Sequence, residues 1–594
     1  MQKRGGGSMI LQALTAYYEE LASKGKLPSP GWDPAFKVSF ALEVGDDGAL
    51  LDVVDLREPA STGKKKTLMP KFMSVPAHPT RSSGVLANFL CDNSAYLLGA
   101  VEDEKKAGRA KQCFAACAEF HHKLLNGVDC PAARAVLAFF DRWDPDTASV
   151  HPLLKEKWQD IIGNSNLVFY YDYPDGRHSV TEDPAFRDAW NREYHAETDS
   201  VKTQCLVTGR YAAVAPTHPQ IKGVAGAQSS GAALVSFNAP SFCSYNHVQG
   251  ENAPVSEYGA FAYTTALNTL LADRNHCQRV GDTTVVCWAE NAGEAYADLG
   301  IDAVFGVPEE SGIQESDVTT ALKLLSEGKN AEWNGVTLLP DQHFYFLGLS
   351  PNAARLSVRF FLRDTFGGFA RHIREHRQAL EIAKPAYEKR ESLSVWQLAR
   401  ETVNLKERTP TPAPQLAGDI LRAVLTGGMY PATLLNGVTL RIRAERDITY
   451  GRAAIIKAYY LRRKGLIPEE VLTVYLNEES DYQPYVLGRL FAVLEAVQNA
   501  ANPEINTTIR ERYFSSACAT PAIVFPTLIK LSQKHLQKLG DKQKIYYDRQ
   551  ITELLNKMNT AFPARLTLTE QGAFELGYYH QKQKRFEKKD REEE

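Results

Sequence analysis

The pattern of hydrophobic and polar positions changes along the chain, and its first third predicts both helices and strands. Apolar residues recur at helical spacing over residues 9–24 and predict a first helix. Two alternating apolar runs then flank Gly45-Asp46-Asp47-Gly48, which is the pattern of a β-hairpin. From about residue 86 to 162 the pattern is mostly helical.

Short strands alternate with helices in the next part of the chain, from 166 to about 365. The predicted strands include "LVFYYDY", "ALVSFN", "TTVVCWAE", "FYFLGLS" and "RLSVRFFL", and one predicted helix covers 258–271. This part ends at "LKERTPTPAPQ", residues 405–415, because alternating prolines prevent a continuous helix. The mixture of elements predicts an α+β region.

Almost everything after the proline-rich segment is helical. The predicted helices cover 416–426, 431–446, 452–464, 482–501, 507–517, 521–539 and 541–560. We therefore predict an α+β fold with an N-terminal α+β region at 9–404, a linker at 405–415 and an all-α helical bundle at 416–594. Residues 1–8, "MQKRGGGS", are interpreted as a tag or fusion scar.

Composition and charge exclude few functions by themselves. The 594 residues are 44% hydrophobic and 23% charged, with a net charge of −3, so a basic surface must be local. Nine cysteines without a C-x-x-C pair predict a reducing, cytoplasmic location. No apolar run approaches the roughly 18 residues of a membrane span, so we expect no membrane partner.

Two local basic clusters stand out against this background. The first lies in 57–81, a predicted exposed loop with one acid, Glu58, and contains Arg57, Lys64, Lys65, Lys66, Lys71 and Arg81. The second lies in 441–464 and contains Arg441, Arg443, Arg446, Arg452, Lys457, Arg462, Arg463 and Lys464. Such clusters attract backbone phosphates, although each could also be a solvated surface. Two of them favour a long polyanion, and no acidic pair suited to cleavage lies beside them.

The segment "IKGVAGAQSSGAALVSFN", residues 221–238, suggests a functional loop. It is not a nucleotide-binding P-loop, because Lys222 precedes the glycines and a strand is predicted to follow. It is not a nucleophile elbow, because the residue two before Ser229 is Ala227. A connection between two strands is the simplest alternative.

The small residues of this segment allow another interpretation. Gly223, Gly226 and Gly231 permit a close backbone approach. Gln228, Ser229 and Ser230 offer uncharged donors and acceptors, which suit a contact in a nucleic-acid groove or at a phosphate.

A possible metal motif occurs at His372-x-x-Glu375-His376. The spacing matches an inverted zinc-peptidase motif in which Glu375 would be the general base. The same predicted helix carries three cations that would repel a metal ion, namely Arg371, Arg374 and Arg377. A basic helix face is the favoured interpretation, and a zinc-dependent hydrolase is the alternative.

A second cluster of possible ligands is weaker. Cys113, Cys117 and His121 follow one another at i, i+4 and i+8 of a predicted helix. They would spread along about 12 Å of helix axis, so packing in a core is favoured over a metal site.

A longer block carries a resemblance. "THPQIKGVAGAQSSGAALVSFNAPSFCSYNHVQGENAPVSEYGAFAYTTALNTLL" resembles the signature block of the large subunit of type I-C CRISPR Cascade, the Csd family. Further similar blocks, among them "SSGVLANFLCDNSAYLLG" and "FLGLSPNAARLSVRFFLRDTFG", occur in order over 9–585.

The resemblance implies a non-enzymatic, RNA-guided DNA-binding protein without a cofactor or metal. The implied partners are the 5′-handle end of the CRISPR guide RNA, the target double-stranded DNA and its displaced strand, the backbone and handle-binding subunits, the small subunits and a recruited helicase-nuclease. The N-terminal region would inspect the protospacer-adjacent motif, and the helical region resembles the small subunits.

The candidate DNA contacts follow from combining the resemblance with the residues. At the motif or the strand junction we expect Gln228, Ser229, Ser230, Gly226, Gly231, Asn238 and Asn252, the two asparagines having a structural turn as alternative. At duplex phosphates we expect Lys64, Lys65, Lys66, Lys71 and Lys222. Along the nucleic-acid backbone in the C-terminal region we expect Arg441, Arg443, Arg446, Arg452, Arg462, Arg463 and Lys464. A guide-processing endoribonuclease is a further alternative, but the chain offers no clear His–Lys or His–Tyr arrangement for it.

Overall fold

The computed structural model describes residues 9–62, 65–78, 84–163, 165–194, 201–308, 311–404, 406–559 and 561–584. The fold is α+β, as predicted, with most strands in the N-terminal part and helices throughout the C-terminal part. The strands are β1 (Trp32–Val38), β2 (Phe40–Val44), β3 (Leu50–Asp55), β4 (Glu58–Thr62), β5 (Lys65–Met69), β6 (Lys71–Pro76), β7 (Cys91–Asn93), β8 (Asn166–Tyr173), β9 (Gly176–Ser179), β10 (Lys202–Gln204), β11 (Tyr211–Ala213), β12 (Cys277–Val280), β13 (Thr283–Ala289), β14 (Ala331–Trp333), β15 (Val336–Leu338), β16 (His343–Asn352) and β17 (Arg355–Thr365).

The helices confirm most of the predicted ones to within a few residues. They are α1 (Ile10–Ser23), α2 (Ser94–Leu97), α3 (Ala107–Leu125), α4 (Pro131–Arg142), α5 (Trp158–Ile162), α6 (Pro184–Tyr194), α7 (Glu257–Ala272), α8 (Glu294–Phe305), α9 (Glu315–Ser326), α10 (Phe366–Leu380), α11 (Val395–Arg400), α12 (Leu416–Thr426), α13 (Ala432–Glu445), α14 (Tyr450–Arg462), α15 (Gln483–Ala501), α16 (Ile509–Ala519), α17 (Pro521–Leu536), α18 (Asp541–Asn556) and α19 (Leu568–Lys584).

The contacts divide the chain into two compact units. The insert unit comprises Tyr18–Thr217 and Phe237–Thr265, and the core unit comprises the residues up to Tyr17, then His218–Ser236, then the chain from Ala266 onward. Neither unit is therefore one continuous stretch of sequence.

The insert unit contains a five-stranded sheet with the order β3-β2-β8-β7 and β9 paired to β8. The predicted hairpin is confirmed, since β2 and β3 pair antiparallel from Phe40↔Asp55 to Val44↔Leu50. Strand β2 also pairs in parallel with β8. Phe139 of α4 packs against Phe169 of β8 with ring centroids 5.3 Å apart, so the helices cover one face of this sheet.

The lysine-rich segment is not the predicted exposed loop. β4 and β5 form an antiparallel hairpin in which Thr62 pairs with Lys65, and β6 pairs with β1. The lysines conceal the strand pattern in the sequence. Lys64 and Arg81 lie outside the described residues.

The core unit is built on an antiparallel sheet with the order β12-β13-β16-β17. One hydrophobic cluster joins this sheet to the C-terminal helices, including Val285 and Phe344 of the sheet, Leu421 of α12 and Phe574 of α19. The segment 405–415 thus connects elements that share a core. The division into an N-terminal region, a linker and a helical bundle at this segment stays a prediction about domain organisation.

Helix α19 was missed in the sequence, and its burial explains why. Residues 571–581 are buried all around the helix, including the polar Glu575 and His580. Because polar residues are buried among the apolar ones, the segment shows no apolar stripe at helical spacing.

Helices α15 and α19 approach so closely that each needs a glycine at the contact. A Cβ at Gly488 would overlap the carbonyl oxygen of Phe574, and one at Gly577 would overlap that of Tyr485. Tyr485 also shares a hydrogen bond of 2.9 Å with Nδ1 of His580, across the same pair of helices.

Replacing Gly488 by alanine is expected to destabilise the protein by at least about 1–3 kcal/mol, because the added methyl group meets backbone and not a movable side chain. The measurement is the thermal unfolding midpoint. Gly108→Ala in α3 is the control, since nothing lies within 4 Å of its Cβ position. There the higher helix propensity of alanine should leave stability unchanged or raise it by up to about 1 kcal/mol. Equal stabilities of the Gly488→Ala variant and the wild type would disprove the close contact.

Candidate nucleic-acid interface

The loop at 222–231 is closed by a single pair of backbone hydrogen bonds. Ile221 and Ala232 donate to each other's carbonyl oxygen at 2.9 Å. Gly231 has a φ of 107° at this closure, and a Cβ there would lie 2.7 Å from the Cβ of Gln220. The closure therefore requires glycine at this position.

The predicted strand "ALVSFN" is not present. Ala232 and Ala233 form isolated bridges only, to Ile221 and to Arg355, and no strand continues beyond them. The backbone of Ala233 donates to Ala354 O at 2.9 Å and accepts from Leu356 N at 3.0 Å. The apolar run thus serves to attach the loop to the start of β17.

Side chains of neighbouring elements hold the base of the loop. Asn268 of α7 accepts from Lys222 N at 2.8 Å and donates to Gln220 O at 3.1 Å. Thr284 Oγ1 of β13 accepts from Ala225 N at 3.0 Å. A polar asparagine within the apolar run "TTALNTLL" was the signal in the sequence that could have identified Asn268.

The tip of the loop presents unused polar groups. Gln228, Ser229 and Ser230 are exposed, and their side chains make no hydrogen bond within the part of the chain that the structure describes. Gly231 N donates to Gln228 O at 2.9 Å, so the tip is a hydrogen-bonded turn. Gly226, with a φ of 81°, is exposed beside it. The loop thus combines a fixed base with a polar tip that is available to a ligand.

The two asparagines of the predicted site belong to the insert unit, whereas the loop belongs to the core unit. Asn238 is exposed. The Asn252 side chain accepts from Ser244 N at 2.8 Å and donates to Gln249 O at 3.0 Å. Its amide is therefore engaged in a turn of its own segment.

The cations predicted to contact duplex phosphates fall in both units. Lys71 of β6 and Lys222 of the loop are exposed, and Lys65 and Lys66 lie in β5. Arg57, from the same basic segment, is already paired with Asp55 and Asp160, at 2.7 and 2.8 Å. Lys71 and Lys222 are thus the clearest phosphate candidates.

The C-terminal basic cluster is only partly exposed at the surface, and the prediction that Arg452 contacts a nucleic-acid backbone is wrong. It is fully buried, with Glu445 at 2.7 Å and Glu401 at 3.6 Å from its guanidinium, and it donates to Asp447 O at 3.0 Å. Its charge is neutralised inside the protein, so the structure does not present it to a phosphate. Charge density along a sequence cannot distinguish such an internal cation from an exposed one.

Other arginines of this cluster also have partners within the chain. Arg462 donates to Ala423 O at 2.8 Å and lies over the Tyr430 ring at 4.0 Å, and burial lowers its pKa. Arg441 pairs with Glu445 at 2.6 Å, and Arg463 lies over the Tyr459 ring at 4.7 Å. Arg443, Arg446 and Lys464 are exposed, and of these Arg443 also donates to Gln571 Oε1 at 2.6 Å.

The geometry does not support the zinc-hydrolase alternative. His372 donates from Nδ1 to Leu425 O at 2.9 Å, and its imidazole packs against Gly427. His376 is buried and shares a 2.6 Å hydrogen bond with the Tyr430 hydroxyl. Within the described ranges no three His, Cys, Asp or Glu side chains are grouped as metal ligands would be. His372 instead holds α10 against the last turn of α12, and His376 holds it against the segment that follows α12.

Cys113, Cys117 and His121 pack in the core, as favoured. His121 donates from Nδ1 to Cys117 O at 2.8 Å and accepts at Nε2 from Leu90 N at 2.9 Å. Complete burial lowers the pKa of His121 to about 4, so both nitrogens act as structural hydrogen-bonding groups of a neutral ring.

Asn268→Ala is expected to loosen the base of the loop without unfolding the protein. The variant loses both side-chain bonds of Asn268, and loss of the one from Lys222 N, worth about 0.5–1.5 kcal/mol, should make the Lys222 amide exchange roughly 2- to 12-fold faster. Hydrogen–deuterium exchange of the peptide containing Lys222 measures this. Asn268→Asp is the control, because it keeps the acceptor for Lys222 N and should retain most of the protection. Unchanged exchange in Asn268→Ala would contradict the anchoring role.

The stability of the core unit is expected to fall on acidification through His376. Burial, together with Arg462 and Arg377, lowers its pKa from 6.5 to about 3. This stability is complete above pH 6.5 and is lost between pH 6.5 and about 3, because only the unfolded chain takes up a proton there. The loss is about 2 kcal/mol at pH 5.

His376→Gln removes this proton uptake, so its unfolding midpoint should change less between pH 7 and 5 than that of the wild type. Between pH 8 and 7 the two proteins should show the same pH dependence, which serves as the internal reference. If the unfolding midpoints of the wild type and His376→Gln changed in parallel with pH down to pH 5, His376 would titrate freely in the folded protein.

Comparisons with known proteins agree with the resemblance drawn from the sequence. No curated protein matches this chain. Among the described residues no helix is both long and apolar enough to span a membrane. The family model of the CRISPR-associated protein Cas_Csd1 matches residues 14–586, which is nearly the whole chain. The chain therefore belongs to the CRISPR-associated Cas_Csd1 family.

Proposed function

We propose that the chain is the non-catalytic large subunit of a type I-C CRISPR surveillance complex. In this role it recognises the protospacer-adjacent motif of target double-stranded DNA, stabilises the R-loop and licenses recruitment of the helicase-nuclease. The observation that carries the proposal is the family match over residues 14–586. The anchored loop at 222–231 supports it, since it offers neutral polar groups on a fixed base.

The loop tip is the proposed reader of the motif. The Gln228 amide can bond adenine in the major groove, or the O2 and N3 acceptors in the minor groove, and Ser229 and Ser230 can donate or accept beside it. Because Asn268 and Thr284 already hold the loop base, little conformational freedom is lost on binding. Gly226 and Gly231 have no side chain, so the backbone at these positions can approach a groove closely.

Cations hold the duplex without reading it. Lys65, Lys66, Lys71 and Lys222 are assigned to duplex phosphates, contacts that fix position and carry no sequence information. By analogy with single-protein RNA-guided effectors, sequence is read by pairing of the guide RNA with the target strand, while the protein reads a short duplex motif and the backbone shape.

The C-terminal helices are assigned to the nucleic-acid strands beyond the motif. The exposed Arg443, Arg446 and Lys464 are the candidates for contact with target or displaced strand. The other partners are the guide RNA at its 5′-handle end, the backbone and handle-binding subunits and the small subunits, all in the cytoplasm. No cofactor is required for binding of this kind.

The test is the affinity of the reconstituted guide complex for target duplex at one fixed salt concentration, on cognate and motif-scrambled DNA. Gln228→Ala is expected to lose about 1–3 kcal/mol on cognate DNA only. Lys65/Lys66/Lys71→Ala should weaken binding to both duplexes and reduce the salt dependence, because fewer counterions are released.

Gln537→Ala, an exposed glutamine at the end of α17, is the control and should bind as the wild type does. If Gln228→Ala still discriminates fully between the two duplexes, the loop does not read the motif. If the complex assembled with this chain shows no discrimination at all, the proposed function itself is refuted.

A further inference from the structure

A second exposed segment lies in the insert unit, and its composition is unusual. Residues 223–250 contain no Lys, Arg, Asp or Glu, although 23% of the chain is charged. Within this stretch, residues 239–249 form the segment that we call the Tyr245 loop. Tyr245 is 94% exposed, Val248 61% and Phe242 44%.

The tip of the Tyr245 loop is a turn of a kind that disfavours bulky residues. His247 N donates to Ser244 O at 2.9 Å, and the two residues between them, Tyr245 and Asn246, have φ values of 52° and 60°. Turns with two positive φ values favour Asn, Asp and Gly, because a larger side chain is strained there. A tyrosine at this position carries a conformational cost, which points to a role for its ring.

The surrounding structure holds this turn in place. Asn252 accepts from Ser244 N at 2.8 Å and donates to Gln249 O at 3.0 Å and to His247 O at 3.3 Å. Glu251 accepts from Val248 N at 3.2 Å. The Asn252 amide thus spans both ends of the turn and fixes the backbone from which the Tyr245 ring projects.

The end of the loop is fixed to the rest of the insert unit. Gly250 is buried, donates from N to Pro216 O at 3.0 Å, and has no room for a Cβ beside the carbonyl of Ala215. The strained turn is therefore supported on a fixed base, so the backbone that carries the ring is ordered before any ligand arrives.

The chemistry of the loop indicates its ligand. A ring that is 94% exposed has both faces accessible for stacking, and Asn246 and Gln249 beside it carry amides that can bond a base edge. No charged residue of residues 239–249 would meet a phosphate or repel one. The sequence neighbours of Tyr245 are the polar Ser244 and Asn246, and Phe242 and Val248 add exposed apolar surface on either side of them.

We propose that Tyr245 stacks on an unpaired nucleobase of single-stranded DNA, with Asn252 as the positioning residue that holds the turn. The inference rests on the proposed function in one respect, namely that a nucleic acid is the ligand. It adds a neutral stacking contact to a protein whose other candidate contacts are hydrogen bonds and phosphate-binding cations.

The test uses the full-length chain without guide RNA and an oligothymidine with 2-aminopurine at its centre. Wild type should bind it and change the 2-aminopurine fluorescence, which reports stacking on the base. Tyr245→Ala should bind about 5- to 150-fold more weakly and lose the fluorescence change. Tyr245→Phe keeps the aromatic face and should behave nearly as the wild type.

Two further variants separate stacking from folding. Tyr245→Gly removes the ring and also relieves the positive φ, so its unfolding midpoint should not fall while its binding is lost. Tyr211→Ala removes another tyrosine of the insert unit that is 75% exposed, and it should bind as the wild type does. Asn252→Ala keeps the ring and frees the turn, so the fluorescence change should become smaller.

Several results would overturn the proposal. These are failure of the wild type to bind the oligonucleotide, wild-type binding by Tyr245→Ala, or an equal loss in Tyr211→Ala. A loss of binding to protein subunits alone in Tyr245→Ala would make the loop a protein interface instead. Because motif discrimination on duplex DNA depends on Gln228, that experiment can fail while the single-strand result stands, and the reverse also holds.

Discussion

The close contact between α15 and α19 is the constraint on which the arrangement of the core unit depends. Gly488 and Gly577 let the two backbones touch, and the last helix thereby enters the centre of the hydrophobic cluster. The same cluster reaches the buried strands β13 and β16. The loop at 222–231 is attached to this sheet through Thr284 and the backbone around Arg355. The exposed glutamine at the loop tip thus derives its position from helices far away in the sequence.

Local pattern was enough to predict the elements whose stability is local. The β2–β3 hairpin follows from alternation, and amphipathic helices such as α12 follow from helical spacing, which a single sequence contains. The prediction of a strand over the apolar run after residue 231 was wrong, because the backbone pairing of this run is limited to isolated bridges at Ala232 and Ala233. Helix α19 was missed because it is stabilised by tertiary packing and has no polar face that would mark it in the sequence.

The candidate site shows that the charge pattern of a sequence is also a limited guide to the folded structure. The sequence indicates how many cations lie together, but Arg452 meets Glu401, which is 51 residues away, only in the folded chain. The family resemblance could identify the loop as important, whereas its closure by Gly231 and its anchor on Asn268 required the structure. The strained turn at Tyr245 was equally hidden, since no residue pattern in that segment predicts a positive φ for tyrosine.

The interleaving of the two units along the chain has a consequence for the order of events during synthesis. The insert unit possesses all of its residues once Thr265 has left the ribosome, whereas the core unit also needs α19, which ends at Lys584. Tyr17, in the middle of α1, packs against His276 and Trp288, so this contact forms only after both residues have been synthesised. Since domains fold as units while the chain grows, the insert unit completes first and the opening helix remains without its core partners for much of translation.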